Sequence, residues 1–245
     1  MKMTTARRAG VVAAGLLTMA SYSAVMAEDD HDHSHGDHDH AHEASHEHGD
    51  HDDHADEHSH GGHGHDHDDD IYNGHFEDSQ VEARELSDWE GDWQSVYPYL
   101  QDGTLDEVFA HKAEEGDKTA EEYKSYYETG YRTDVERITI DDGDVTFYRG
   151  DDSYGGEYVS DGHEILTYEA GNRGVRYIFE RESGDDEAPE YIQFSDHAIA
   201  PNDADHYHIY MGDDRAALLE EVTNWPTYYP ADLDGEEVAE EMMAH

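Results

Sequence analysis

Residues 28–70 most constrain what this chain can fold into, because nothing in them can build a core. The stretch holds fifteen histidines and seventeen acidic residues, with no Lys or Arg and no apolar side chain larger than Ala. A segment that buries so little cannot offset the entropy lost on ordering, so it is expected to stay disordered. Its histidines are His31, His33, His35, His38, His40, His42, His46, His48, His51, His54, His58, His60, His63, His65 and His67. A solvated acidic linker is the plainer reading. Fifteen imidazoles among 43 residues, interleaved with carboxylates, point instead to a tract that takes up divalent metal. Each ion should be held weakly, since ordering the chain around it costs backbone entropy. Protons should compete with metal as pH falls.

Before the tract, residues 1–27 begin with Lys2, Arg7 and Arg8, run through an Ala-, Val- and Leu-rich stretch and end on Val25-Met26-Ala27. That order is expected of a cleaved secretory signal peptide. Arg7-Arg8 raises a twin-arginine route, but the usual hydrophobic context after the pair is missing, which favours the general secretory route. As a membrane anchor it is poor, because Thr18, Ser21 and Ser23 interrupt the apolar run and Glu28-Asp29-Asp30 follows it. No other segment approaches the roughly 20 apolar residues needed to span a bilayer, so no membrane span is expected after cleavage. The expected location is the periplasm.

The full chain carries 63 acidic against 14 basic residues, a formal charge of −49. Nucleic-acid binding is excluded, because phosphate recognition needs a cationic surface. There are no cysteines, hence no disulfide, thiolate metal site or thiol chemistry.

From about Ile71 to His245 the composition becomes that of a folded domain. Trp89, Trp93, Tyr97, Leu100, Leu105, Val108 and Phe109 fall close together, and Ser87-Asp88-Trp89-Glu90 fits a helix-start box. Helical segments are expected within 104–128, near 214–224 and at 236–243. Between them the period switches to two. Short strands are expected at 138–140, 145–147, 158–159, 165–168, 175–179, 191–194 and 206–210, with turns at Asp141-Asp142-Gly143-Asp144 and Ser160-Asp161-Gly162. An antiparallel meander of this kind resolves its open edges best by closing into a barrel. Asp141–Asp144 lacks the alternating acids and distal Glu of a calcium loop. Gly171-Asn172-Arg173-Gly174 opens no helix and carries no phosphate-cradle meaning.

The informative constellation is His197, His206 and His208. His206 and His208, two apart in a strand pattern, project from one face with Cα atoms about 6.8 Å apart. A hairpin through 198–205 can bring His197 across from His206. Three neutral imidazoles on one point match a tetrahedral zinc site with one position open. Three unrelated surface histidines are the bland alternative. The H-x-H pair with a third His at hairpin distance favours ligation.

At these residues the chain resembles the ZinT (YodA-like) family of periplasmic zinc- and cadmium-binding proteins. The stretches that carry the resemblance are Leu86–Phe109, Gly174–Glu180 (GVRYIFE), Tyr191–Gly212 (YIQFSDHAIAPNDADHYHIYMG), Asn224–Pro230 and Glu236–His245. The resemblance implies a mainly β domain over 71–245, a calycin- or lipocalin-like antiparallel barrel with added helices. It also implies metal ligands at His197, His206 and His208, with Zn(II) as the ion and Cd(II) or Ni(II) possible. The implied partner is the substrate-binding component of a zinc ABC transporter. Some relatives carry cysteines where Gly156 and Arg181 stand here, so this domain dispenses with a covalent staple. Its 46 acidic to 11 basic residues in 71–245 read as adaptation to high salt.

Two function classes stay open at this point. One is a scavenger that binds Zn(II) and delivers it to an import system. The other is a zinc hydrolase or hydratase using the open position to activate water, which would need a general base aimed at the metal. No motif such as H-E-x-x-H supplies one, and the expectation is a binding protein rather than an enzyme.

Overall fold

The structure is a computed structural model that describes residues 70–169 and 171–244. The expected signal segment (1–27) and nearly all of the expected metal-binding tract (28–70) lie outside the described residues. Eight antiparallel strands close into a barrel in sequence order: β1 Gly91–Ser95, β2 Arg137–Asp141, β3 Asp144–Arg149, β4 Asp152–Thr167, β5 Arg173–Gly184, β6 Tyr191–Ser195, β7 Tyr207–Gly212 and β8 Thr227–Pro230. Closure comes from β1, which pairs with both β2 and β8. The meander expected from the period-two pattern is therefore a closed barrel, which leaves no edge strand to template aggregation.

Two departures from the sequence reading have physical causes. Ser160-Asp161-Gly162 is not a turn between two strands but a register shift inside the 16-residue β4, where Gly162 takes φ 84°. Ser87–Glu90 does not start an α-helix. Leu86–Trp89 form a single 3₁₀ turn, because Leu86 and Trp89 are drawn into the barrel core and the chain then leaves as β1. The Asp142-Gly143 hairpin follows expectation: both residues have positive φ, 48° and 90°, the mirror-image turn that matches strand twist.

Alternation along the strands builds two apolar layers. Inward residues such as Phe147, Tyr177, Phe179, Phe194, Tyr207 and Tyr228 fill the barrel with Trp89, which stacks on Phe194 at 4.8 Å between ring centroids. Each such fully buried side chain contributes roughly 1.5–3 kcal/mol by leaving water. The outer face of β8 and its surroundings are covered by helices α1 Tyr97–Asp102, α2 Asp106–Glu115, α3 Ala120–Tyr131 and α5 Gly235–Ala244, while the short α4 Arg215–Glu220 packs near β7. The expected helical stretch 104–128 is thus two helices. The second is started by Thr119, whose side chain and that of Glu122 cap each other's backbone N–H. Gly130 permits close packing there, because a Cβ would lie 2.4 Å from the Trp225 ring. Gly156 and Arg181 adjoin across β4 and β5: a Cβ built at Gly156 would meet the Arg181 side chain at 2.9 Å.

Candidate metal centre

The β6–β7 hairpin assembles the three histidines. Ser195 pairs with His208, and continuing that register by two positions sets His197 opposite His206. Tyr207 and Ile209 point into the barrel and are fully buried, so His206 and His208 face the other way. The cluster therefore lies on the outer wall of the barrel under the helical layer, not in the lumen, which aromatic side chains occupy. Ring centroids are 5.9 Å apart for His197–His206, 5.5 Å for His197–His208 and 6.0 Å for His206–His208. One ring nitrogen from each lies within 4.8 Å of the other two. Tetrahedral zinc with bonds of 2.0–2.1 Å places its ligand nitrogens about 3.3 Å apart, so modest side-chain rotation completes the geometry.

Each imidazole is held by its surroundings. His208 Nδ1 lies 2.7 Å from Thr227 Oγ1. With that hydroxyl giving its proton to the Trp225 carbonyl at 3.0 Å, its lone pair accepts from His208. In that arrangement the proton sits on Nδ1 and Nε2 carries the lone pair, so the hydroxyl orients the ring for an ion. Burial, then the charges of His197, His206 and Arg176, push the His208 pKa well below its ordinary value. His206 stacks on Tyr229 at 5.0 Å and 9°, and His197 on Tyr72 at 4.4 Å and 25°.

His197 sits beyond the end of β6 with φ 66°, a left-handed conformation that costs a non-glycine residue about 1–2 kcal/mol. The neighbouring residue holds it there. Arg84, fully buried, directs Nη1 to both oxygens of Asp196 at 2.7 and 2.8 Å, Nε to Asp88 at 2.7 Å and Nη2 to the Asn202 carbonyl at 2.9 Å. Its guanidinium lies 4.0 Å over the Trp89 ring. One cation thus ties the start and middle of the 196–205 loop to the wall of the barrel. Arg84, Thr227, Tyr72 and Tyr229 were not legible as site residues: each is a single common residue far from the histidines in sequence.

The cluster opens into a pocket of about 270 Å³ between the barrel wall and the helices. Its walls are largely aromatic, with Tyr72, Tyr126, Tyr127, Trp225 and Tyr229, and Lys112 is its one lining residue with a fixed charge. No Asp or Glu among the described residues lines it. Three neutral imidazoles on a semi-enclosed wall can bind a borderline cation, and the neighbouring Asp196 carboxylate is engaged by Arg84.

Similarity to known proteins agrees with this geometry. The chain is 65% identical over 176 residues to the probable metal-binding protein YrpE of Bacillus subtilis, covering 71% of this chain and 70% of that protein. It is 51% identical over 177 residues to the zinc-binding lipoprotein AdcA of Streptococcus pneumoniae, covering 71% of this chain but 35% of AdcA, about a third of that protein's length. The structure of the Zn(II)-bound ZinT-like domain of that AdcA superposes with a TM-score of 0.69 at 51% identity, covering 71% of this chain and 97% of the domain. The family described as ZinT (YodA), periplasmic lipocalin-like zinc-recruitment, matches residues 67–245. With a closed barrel, a three-histidine cluster on its outer wall and this match across most of its length, the chain belongs to the ZinT (YodA) family.

Proposed function

We propose that the protein binds Zn(II) through His197, His206 and His208 in the periplasm and delivers it to a zinc import system, through the substrate-binding component of an ABC transporter. The observation that carries the reading is the convergence of three imidazoles, one ring nitrogen of each lying within 4.8 Å of the others, with His208 Nδ1 anchored on Thr227. Imidazole donors suit zinc and also accept Cd(II) or Ni(II), so selectivity would rest on supply as well as on the site. Relatives named for zinc or metal binding support a binding role. No helix among the described residues is long and apolar enough to cross a membrane.

The tract at 28–70 serves as a collector. Its chain enters the domain at the site itself, since Tyr72 stacks on His197 and lines the pocket. His67 precedes Tyr72 by five residues, a contour of at most about 18 Å. Ions held weakly on the tract are therefore presented to the cluster at high effective concentration.

Zinc titration of the full chain beside a form lacking residues 28–70 tests the assignment. One tight site should persist without the tract and vanish when His206 and His208 are both replaced by Ala. Tight binding surviving the double substitution would reject it.

A further inference from the structure

Arg176 is a buried cation with no carboxylate partner, on the same wall as the histidine cluster. It lies in β5 between Val175 and Tyr177, which point into the core, so its own side chain faces the outer layer, where it is 1% exposed. Tyr177 pairs with Phe194, so one further step along the β5–β6 ladder sets Arg176 opposite Ser195, and Ser195 pairs with His208. Arg176, Ser195 and His208 thus form one row across three strands. The two ends of that row are about 10 Å apart at ordinary strand spacing.

The guanidinium is poorly compensated. Nη2 donates to the Glu221 carbonyl at 3.1 Å and the group lies 3.1 Å over the Tyr210 ring, but Nε and Nη1 have no hydrogen-bond partner among the described residues. Glu164, directly across β4, is engaged by Arg215 at 3.1 Å. The Glu221 carboxylate accepts from Thr223 and Asn224. A domain with so many acidic residues could neutralise this charge, yet none among the described residues lies within ion-pair distance of it. Burying an unpaired cation is costly, and only the Glu221 carbonyl and the Tyr210 ring offset it here among the described residues.

We propose that Arg176 limits the affinity of the three-histidine site for divalent cations, holding it in a range from which the ion can be passed on. This rests on the metal-binding reading of that site. With charge and ion about as far apart as these backbones, roughly 10 Å, an effective dielectric constant near 20 and screening over a Debye length of about 8 Å leave a repulsion on the order of tenfold in dissociation constant. The sign is the discriminating feature: loss of a purely structural arginine would weaken binding, whereas loss of a repulsive charge strengthens it.

The test is a competition titration of the full chain with Zn(II) against a chelator strong enough to strip the tract, for Arg176→Met, Arg176→Gln and Arg176→Lys, with thermal melts of each metal-free form. The Met and Gln variants should bind zinc roughly tenfold more tightly and release it more slowly, and the Lys variant should stay near wild type. Unchanged or weaker binding in a folded neutral variant overturns the proposal, as does failure of both neutral variants to fold while Lys folds, which would make the charge structural. His206→Ala with His208→Ala, run alongside, reads the site assignment separately. If that double variant keeps the tight zinc, the ligand assignment fails whatever Arg176 does.

Discussion

Thr227→Val exchanges a hydroxyl for a methyl of nearly equal volume at a position 2% exposed, so its effect should reach the metal through one hydrogen bond. The hydroxyl accepts from His208 Nδ1 at 2.7 Å and donates to the Trp225 carbonyl at 3.0 Å. Removing it leaves Nδ1 without that partner and lets the proton shift to Nε2, the atom needed by the ion. A lost neutral hydrogen bond is worth about 0.5–1.5 kcal/mol, and an unsatisfied buried group costs about 1–3 kcal/mol. Only the part that differs between metal-bound and metal-free forms enters the affinity. Loss of the hydrogen-bond partner behind a metal-bound imidazole weakens binding by about 10–100-fold, or roughly 1.4–2.7 kcal/mol. Competition titration against a zinc chelator measures it, with the metal-free melting temperature as a control for packing. Thr227→Ser keeps the hydroxyl and should recover most of the affinity. Val within twofold of wild type, or Ser as weak as Val, would refute the tautomer reasoning.

Arg84→Met strands Asp196, whose side chain is 2% exposed, without its cation; such a loss costs about 3–5 kcal/mol, so the melting temperature should fall steeply and zinc affinity with it. His208 has a folded pKa well below its ordinary 6.5 because of burial, so below about pH 6.5 the unfolded chain binds a proton that the folded chain refuses. Stability of the metal-free domain should therefore be full above that pH and decline as pH falls toward the folded pKa; a pH series of melts that stays flat from 7 to 5 would contradict this. The tract should release its ions between about pH 7 and 5 and speed loading of the site without changing its final affinity, and equal stopped-flow loading rates without residues 28–70 would reduce it to a linker. The acidic excess predicts a markedly higher melting temperature in molar KCl than in dilute buffer, where the Debye length is longer, with the larger zinc-induced shift at low salt. Melting independent of salt would remove the high-salt reading.

Much of this architecture was legible because the barrel reports itself through alternation. Segments such as Val175–Phe179 and Tyr191–Phe194 read as strands and became β5 and β6. The two strands that close the barrel did not read. In Gly91–Ser95 only Trp93 and Ser95 are buried, and Thr227–Pro230 is four residues ending in proline, so neither offers enough period-two signal in isolation. Ser160-Asp161-Gly162 has turn chemistry that the long β4 absorbs as a local irregularity. The three histidines lie together because one hairpin carries them all. The side of the wall was written in the same stretch, since Tyr207 and Ile209 flank His208 and face the core. The supports were not legible. Arg84 reaches Asp196 across 112 residues, and only closure of the barrel brings Thr227 beside His208.

X-ray absorption at the zinc K-edge, on the chain lacking residues 28–70 and loaded with one equivalent of Zn(II), tests the central claim most directly. The account predicts three imidazole nitrogens at 2.0–2.1 Å and one further light ligand in tetrahedral geometry. That pattern should be lost when His206 and His208 are replaced by Ala. Fewer than three imidazoles in the wild-type spectrum, or a first shell dominated by carboxylates, would contradict it.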